Sequence, residues 1–342
     1  MSEGNLFEQQ ASNRRRSIAL VAAFLLFFAW IGFGGDFIFY LSTAEAPAGN
    51  YHHVIPLFGI AATLLAAVLA RHGWRKGPSQ ILWATGAWQL LNASKPQEKV
   101  LINVVEEMAI ASGVPRPTIW IVPDKDPNAF ATGHDEQNAH VAVTEGLLET
   151  LSRDELQAVV AHEMAHIRNH DAKLMTLLAA LVGVMAIISD GTSRMLRFGG
   201  ARKAGPRSKR SSGKGGGPLI AILLAVWLLS VILAPIVSRL LAVAVSRKRE
   251  FLADATAAQF TRDPGSLASA LRKIEDARGP TKTIKRGSAH LCIADPLGRR
   301  LTHKEGAIAN LLATHPPMAV RIARLKRMAY QYDKTGSLRI ET

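Results

Sequence analysis

The run from His162 to His166 reads HEMAH, and its residue types and spacing suit chemistry better than any other part of the sequence. On a helix with about 3.6 residues per turn, the two histidines lie on one face, so both imidazoles can reach one small cation. Glu163 is adjacent to the first histidine, where its carboxylate can accept a proton from water that zinc has acidified. Because the rest of this helix is largely apolar, metal ligation is favoured over satisfied core histidines.

A catalytic zinc ion needs a third protein ligand and keeps one position open. His170 is a poor candidate because it lies about 12 Å beyond His162 along the helix axis, and a helix-end surface position is predicted for it. Glu250 is the better candidate, and Asp254 follows it four residues later on the same predicted helical face. Glu250 would bind zinc, and Asp254 would accept an imidazole N–H. A solvated amphipathic face is the alternative interpretation of this pair.

The elements that must position these residues are helices around a small sheet. Ser152 and Glu155 are spaced as a capping box that opens the HEMAH helix, which is predicted to run through Asp171. Ahead of it, apolar residues recur at helical spacing up to Gly113, a natural helix stop. Three short runs between these helices predict the sheet. The predicted helix is 96–112, and the predicted strands are 118–122, 128–132 and 140–144.

Four apolar blocks interrupt a chain of 342 residues with a formal net charge of +14. Apolar runs approaching twenty residues are typical of helices that cross a membrane. The first block could also be a signal peptide, but it is longer than a usual signal core, which favours a retained span. Basic residues flank the first two blocks and are absent from the loop 34–53, so a hairpin with both outer ends in the cytoplasm is predicted. The blocks are 17–33, 54–70, 174–188 and 218–245.

The third and fourth blocks leave the topology open. The loop 194–217 between them carries eight basic residues. If both blocks cross, this loop lies outside, against the tendency of basic residues to stay in the cytoplasm. A re-entrant hairpin and helices packed on the catalytic domain are the alternatives. If His166 and Glu250 bind one metal, the chain returns to the side it left in either case.

HExxH followed much later by ExxxD, with apolar spans around the catalytic helix, resembles the M48 family of membrane gluzincins. Within that family, the layout is similar to the HtpX heat-shock protease group. The resemblance covers roughly residues 15–330, and HExxH with ExxxD is its specific part. Shorter matching runs are NAFA at 128–131, EFLAD at 250–254, DPL at 295–297, and THPP at 314–317 with Arg321 and Ile322.

The resemblance implies that one Zn²⁺ per chain is bound by His162, His166 and Glu250. It also implies that Glu163 is the general base. Two imidazoles and a carboxylate suit zinc, although the sequence does not exclude another divalent ion.

The resemblance further implies an edge strand that pairs with an extended peptide substrate through main-chain hydrogen bonds. His315 could donate to the developing oxyanion, and Arg321 could hold Glu250 or Asp254 in place. A turn at 316–317 and a solvated helix arginine are the alternatives for these two residues. The implied substrate-binding residues are Asn128, Ala129, Phe130 and Ala131.

The predicted fold is a mostly α integral membrane protein with a small β-sheet and a gluzincin-type zinc peptidase domain. Its single cysteine, Cys292, excludes an intrachain disulfide framework and suits a small buried position. The predicted divisions are a cytoplasmic N-terminal tail (1–16), a two-span membrane hairpin (17–70), the first part of the peptidase domain (71–173), a hydrophobic hairpin (174–245) with a basic loop at 191–217, and the second part of the peptidase domain (246–342).

The function implied by the resemblance is a multi-pass endopeptidase of a bacterial-type inner membrane, with its catalytic domain in the cytoplasm. It would cleave misfolded or membrane proteins in quality control, with membrane lipids as further partners and no nucleic acid. Prenyl-peptide processing is the alternative within the family, although that branch resembles a seven-span chamber. A non-catalytic metal-binding scaffold is an alternative from another class, against which Glu163 counts. Binding of anionic lipid or nucleic acid through 194–214 is a third, recognisable by its salt dependence.

Overall fold

The computed structural model describes residues 6–44, 53–181, 224–225, 227–228, 249–277, 281, 283–284, 291–294 and 316–340, with 6–9, 332–333 and 335–340 described by backbone alone. The chain divides into two compact units. The first comprises residues 1–17, 74–180 and 240–342, and the second comprises 18–73 and 181–239.

Two long apolar helices, α1 (Leu6–Thr43) and α2 (Leu57–Ala84), supply most of the described part of the second unit. Both are long and apolar enough to cross a membrane, by length and composition. The helices approach closely at Gly32 and Gly59, since a Cβ on Gly32 would lie 2.6 Å from the Cα of Gly59. Asp36 accepts a hydrogen bond from the N–H of Gly59 at 2.6 Å. A buried carboxylate therefore joins the two helices beside their close crossing.

The first predicted apolar block, 17–33, lies within α1, and residues 57–70 of the second, 54–70, lie within α2. Of the third block, residues 174–181 are described, and they are helical. The rest of that block, nearly all of 218–245 and the whole of the basic loop 191–217 lie outside the described residues.

A small mixed sheet forms one side of the core of the first unit. Its strands are β1 (Trp88–Gln89), β2 (Thr118–Val122), β3 (Ala129–Gly133) and β4 (Ala139–Thr144). The strand order is β1-β2-β4-β3, with β2 and β4 parallel and the other two pairs antiparallel. The prediction of a small sheet is confirmed, and the bounds of β3 and β4 differ by one residue from those predicted. β1 has only two residues, too few to give a periodic sequence pattern.

Helices cover this sheet and complete the core of the first unit. They are α3 (Pro96–Ser112), α4 (Glu145–Thr150), α5 (Arg153–Arg168), α6 (171–181 as described), α7 (249–261 as described), α8 (Pro264–Asp276) and α9 (Met318–Ile340). α3 packs against α5, which also contacts β3 and β4, and α8 packs between α5 and α9. The helix over 96–112 is as predicted, and Gly113 ends it with a left-handed φ of 69°.

α5 carries the HEMAH run and begins at the predicted capping box. The N–H of Ser152 donates to Oε2 of Glu155 at 2.8 Å, and the N–H of Glu155 donates to Oγ of Ser152 at 3.4 Å. The prediction that this helix runs through Asp171 is wrong, because α5 ends at Arg168. His170 has a φ of 59°, in the left-handed region, which breaks the helical path before α6 begins.

Candidate metal centre

His162, His166 and Glu250 each bring one ligand atom to a common point. The two histidines lie on one face of α5, and Glu250 lies at the start of the described part of α7. Their Nε2 atoms are 3.1 Å apart; that of His162 lies 3.7 Å from Oε2 of Glu250, and that of His166 lies 3.7 Å from Oε1. Ligand atoms about 2.0–2.1 Å from a tetrahedral zinc ion lie roughly 3.3–3.4 Å from one another. The three side chains therefore fit one small cation, and their ligand atoms all lie within 4.8 Å of one another.

Carboxylates engage the other ring nitrogen of each histidine. Nδ1 of His162 lies 3.1 Å from Oδ1 of Asp254, and Nδ1 of His166 lies 3.2 Å from Oδ2 of Asp171. A carboxylate at Nδ1 favours the tautomer with its proton there and leaves the Nε2 lone pair for a metal. The two Nε2 atoms lie 3.1 Å apart, close enough to share one proton or to bind one cation.

The protonation of His162 is set by competing effects. Burial disfavours the charged ring, but the carboxylates of Asp254 and Glu250 outweigh it and raise the pKa of His162 to about 9. Without a metal, this ring therefore carries a proton at neutral pH. Metal binding at Nε2 would release that proton.

Glu163 faces a cavity beside the three candidate ligands, and Ala131, His166 and Glu250 line the same cavity. Its side chain is buried, and neither oxygen accepts a hydrogen bond of normal geometry from the described residues, although the N–H of Ala131 is near enough to favour the charged form. Burial raises the pKa of Glu163; His162 and His166 oppose this rise, and Glu250 adds to it. A carboxylate with a raised pKa is suited to accept a proton from a reacting water.

Asp254 and Arg321 lie behind the candidate ligands. Asp254 is one helical turn after Glu250 on α7, and Arg321 extends from α9 to both carboxylates. Nη1 of Arg321 lies 3.1 Å from Oε2 of Glu250. Burial favours the neutral form of Asp254, but Arg321 and His162 outweigh it and lower the pKa of Asp254. The Arg321 side chain is fully buried, so it is not the solvated helix arginine of the alternative interpretation.

His166 and Glu250, which are 84 positions apart in the sequence (250 − 166), thus meet at the candidate metal site. The profile of peptidase family M48 matches residues 95–329. The chain belongs to peptidase family M48. Members of this family are metalloproteases, so the chain hydrolyses peptide bonds and its substrates are peptides or proteins.

Relatives of this M48 peptidase match along nearly the whole chain. A protease HtpX homolog from Thermoanaerobacter pseudethanolicus is 37% identical over 328 residues, covering 96% of this chain and 99% of that protein. Another from Streptococcus gordonii is 36% identical over 323 residues, covering 94% and 100%. The crystal structure of Ste24p from S. mikatae superposes with a TM-score of 0.45 at 17% identity, covering 93% of this chain and 67% of that one, and is too distant to inform the site.

The edge strand β3 of this M48 peptidase is already partly paired within the chain. The N–H of Ile293 donates to the carbonyl of Ala129 at 2.9 Å, and Phe130 forms an antiparallel bridge with Cys292. The side-chain amide of Asn128 donates to the carbonyl of Ala294 at 3.0 Å. Of the four residues predicted to bind substrate, three therefore hold the segment 291–294. Ala131 is the one that lines the cavity with Glu163.

Three further residues singled out in the sequence lie outside the group of candidate ligands or outside the described residues. His315 lies outside the described residues, so its role as an oxyanion donor stays a prediction. His170 is not part of the group of candidate ligands, and its Nε2 lies 3.3 Å from Oε1 of Glu136. Cys292 is fully buried, as expected for a small apolar side chain.

Asp171 is a site residue that the sequence interpretation missed. A helix running through Asp171 places its side chain away from the face of His166, whereas the break at His170 turns it back. The available signal was Asn169, since asparagine often marks the end of a helix.

Proposed function

We propose that this M48 peptidase is a zinc endopeptidase of a bacterial-type inner membrane that cleaves cytoplasmic segments of misfolded or membrane proteins. The observation that carries the proposal is the grouping of His162, His166 and Glu250, whose ligand atoms all lie within 4.8 Å of one another, beside the buried carboxylate of Glu163. Two imidazoles and one carboxylate favour Zn²⁺, one ion per chain, and three protein ligands leave a position open for catalysis.

Glu163 is the proposed general base. Zinc, when bound, polarises the substrate carbonyl and lowers the pKa of water. Glu163 takes a proton from the attacking water and passes it to the nitrogen of the leaving amine. Its burial supports this role, because a raised pKa brings the carboxylate closer to neutral pH. Asp254 and Asp171 keep the rings of His162 and His166 in one orientation during hydrolysis.

The proposed peptide-binding edge is β3, from Asn128 to Ala131. Because strand residues alternate, Ala131 directs its main-chain groups to the same outer edge as Ala129 and Gly133. The carbonyl of Ala129 accepts from the N–H of Ile293, and the N–H of Gly133 donates to Oγ1 of Thr176 at 3.2 Å. A substrate therefore pairs at Ala131, next to Glu163, while Asn128 holds the adjoining segment of the chain. His315 is proposed as an oxyanion donor.

The proposed domain arrangement is a membrane hairpin at 17–70 and a cytoplasmic peptidase domain formed from 71–173 and 246–342. The two apolar helices support the hairpin, and the grouping of 74–180 with 240–342 in one compact unit supports the divided domain. Basic residues on the outer flanks of the hairpin support cytoplasmic ends. Membrane lipids and segments of damaged membrane proteins are the proposed partners.

The experiment compares Glu163→Gln with the unchanged chain on an unfolded membrane protein that has cytoplasmic segments. The substitution removes the base but keeps its shape, so cleavage should fall by a factor of about 100 or more while zinc content and the unfolding midpoint are retained. Glu106→Gln is the matched control, because its side chain is 51% exposed and lies 3.2 Å from the half-exposed Arg116.

Cleavage by the unchanged chain should stop when a chelator removes the metal and return when Zn²⁺ is added. A Glu163→Gln protein that still cleaved the substrate would overturn the mechanism. Cleavage of prenylated peptides alone would favour prenyl-peptide processing, and metal binding without any cleavage would favour a scaffold.

A further inference from the structure

The first helix reaches the metal centre through one side chain. Asn13 of α1 is 4% exposed, and its Nδ2 donates to the carbonyl of Asn169 at 2.8 Å and to Oδ1 of Asp171 at 2.7 Å. An amide NH₂ group has two hydrogens, so both are used. The side chain is therefore held in one orientation against the chain break that follows α5.

Asp171 links this fixed amide to His166. One oxygen of Asp171 accepts from Asn13, and the other lies 3.2 Å from Nδ1 of His166. In an uninterrupted helix, a residue five positions after His166 points about 140° away from it. The left-handed φ of His170 breaks the helix and turns Asp171 back toward the ring. Asp171 is 1% exposed, and Nη1 of Arg249 lies 3.7 Å from the same Oδ1, beyond hydrogen-bond distance, so Asn13 makes the shorter contact.

We propose that Asn13 is a positioning residue for the metal centre. By holding Asp171, it fixes the ring of His166 so that Nε2 faces His162. The inference rests on the proposed function, in which His166 binds zinc. Partners of this outer kind orient a ligand ring and set its tautomer, and their loss typically weakens metal binding about 10–100-fold. The metal centre is thereby tied to the helix that continues into the first apolar stretch.

The competing explanation is that Asn13 only satisfies the carbonyls at the end of α5. Gln10, one turn earlier on the same helix, has that kind of contact: its Nε2 donates to the carbonyl of Arg168 at 2.7 Å. Gln10→Ala therefore removes one hydrogen bond to the same helix end and leaves Asp171 beside His166. It is the matched control for Asn13→Ala.

The test measures zinc affinity of the detergent-solubilised full chain by competition with a chromophoric chelator. Asn13→Ala and Asp171→Ala should each weaken zinc binding about 10-fold or more. The double variant should bind no more weakly than Asp171→Ala, because both substitutions act through one contact. Gln10→Ala should stay within about twofold of the unchanged chain even if its unfolding midpoint falls as far as that of Asn13→Ala.

A second readout separates ligand geometry from folding. In cobalt-substituted protein, Asn13→Ala should change the visible absorption of the metal, and Gln10→Ala should leave it unchanged. If Asn13→Ala does not fold, Asn13→Leu keeps the approximate size and removes both amide donors without adding a charge beside Asp171, and the same changes are expected of it.

The inference would be overturned if Asn13→Ala bound zinc as tightly as the unchanged chain. It would also be overturned if the loss of zinc affinity in the double variant equalled the sum of the losses, in free energy, of the two single variants. Either result leaves the proposed function standing. Failure of the unchanged chain to bind zinc would instead remove the proposed function and this inference together.

Discussion

Arg321 binds Asp254 through two parallel hydrogen bonds, from Nε to Oδ2 at 2.9 Å and from Nη2 to Oδ1 at 2.7 Å. Both side chains are buried, at 0% and 3% exposed. A paired fork of this kind fixes orientation as well as charge. Nη1 of the same guanidinium lies 3.1 Å from Glu250 and donates to the carbonyl of Ile293 at 2.9 Å. One residue of α9 therefore holds both carboxylates of the ExxxD pair.

Replacing Arg321 by Met should strongly destabilise the first unit. The substitution leaves the carboxylate of Asp254 buried without its main partner, which typically costs about 3–5 kcal/mol. Arg321→Lys should recover part of the loss, because it restores the charge but not the two parallel bonds. Denaturant unfolding in detergent measures the effect. Arg324→Met is the control, since Arg324 is exposed and its guanidinium lies over the ring of Phe251. Equal losses at 321 and 324 would contradict the prediction.

The sequence predicted most directly which residues share a helical face. His162 with His166, and Glu250 with Asp254, are each four residues apart, and helix geometry places such pairs on one face whatever the surroundings. The resemblance to a family implied that the two pairs share one metal. Spacing within each pair carries no information about the distance between them.

The contact between Asn13 and Asp171 could not be predicted from the sequence, for a different reason. They are 158 residues apart, and no local pattern records a hydrogen bond between them. Asp171 also depended on a helix break at His170, where a non-glycine residue takes a left-handed φ that its side chain does not favour. The pairing of β3 with the segment 291–294 is likewise non-local, since Asn128 and Ala294 are 166 residues apart and no local pattern records their contact.

Substitutions at Glu250 and Asp254 should separate a ligand from a supporting residue. Glu250→Gln removes a charged candidate ligand and should weaken zinc binding by more than 100-fold. Asp254→Asn keeps a polar group at Nδ1 of His162 and should weaken zinc binding about 10–100-fold. Equilibrium competition with a chelator measures both values. Equal affinity losses in the two variants would contradict the assignment of Glu250 as the third ligand.

Glu155 should make the stability of the first unit depend on pH. Burial favours its neutral form, but Lys273, the N–H of Ser152 and Ser269 outweigh burial and lower the pKa of Glu155. A lowered folded-state pKa stabilises the fold above the unfolded value, and that stabilisation is lost as pH falls through the folded value.

Lys273→Met should therefore reduce the free energy of unfolding at pH 7 and have a smaller effect at acid pH, where Glu155 is protonated. The loss at pH 7 should be about 1 kcal/mol or less, because the Lys273 side chain is 43% exposed and water screens the pair. Lys125→Met is the control, since its partner Glu149 is 60% exposed. Denaturant unfolding at both pH values measures the difference, and a loss from Lys273→Met that is larger at acid pH would contradict the prediction.

Gly146 lies where α4 meets the turn that leads into β3. A Cβ at Gly146 would lie 2.0 Å from the carbonyl oxygen of Lys125, a backbone atom that cannot move alone. Gly146→Ala should therefore displace the turn and lower the free energy of unfolding by about 2 kcal/mol or more. Cleavage should also fall, because the turn positions Asn128 and the edge of β3 beside Glu163.

Gly113→Ala is the matched glycine substitution. Its new Cβ would meet nothing within 4 Å, and only its left-handed φ of 69° opposes alanine. The expected loss is about 1 kcal/mol, with cleavage unchanged, because the strain stays at the end of α3. Unfolding curves and cleavage rates for the two variants, measured side by side, distinguish a backbone clash from conformational strain. A larger stability loss at 113 than at 146 would show that the contact between Gly146 and the turn does not control the position of β3.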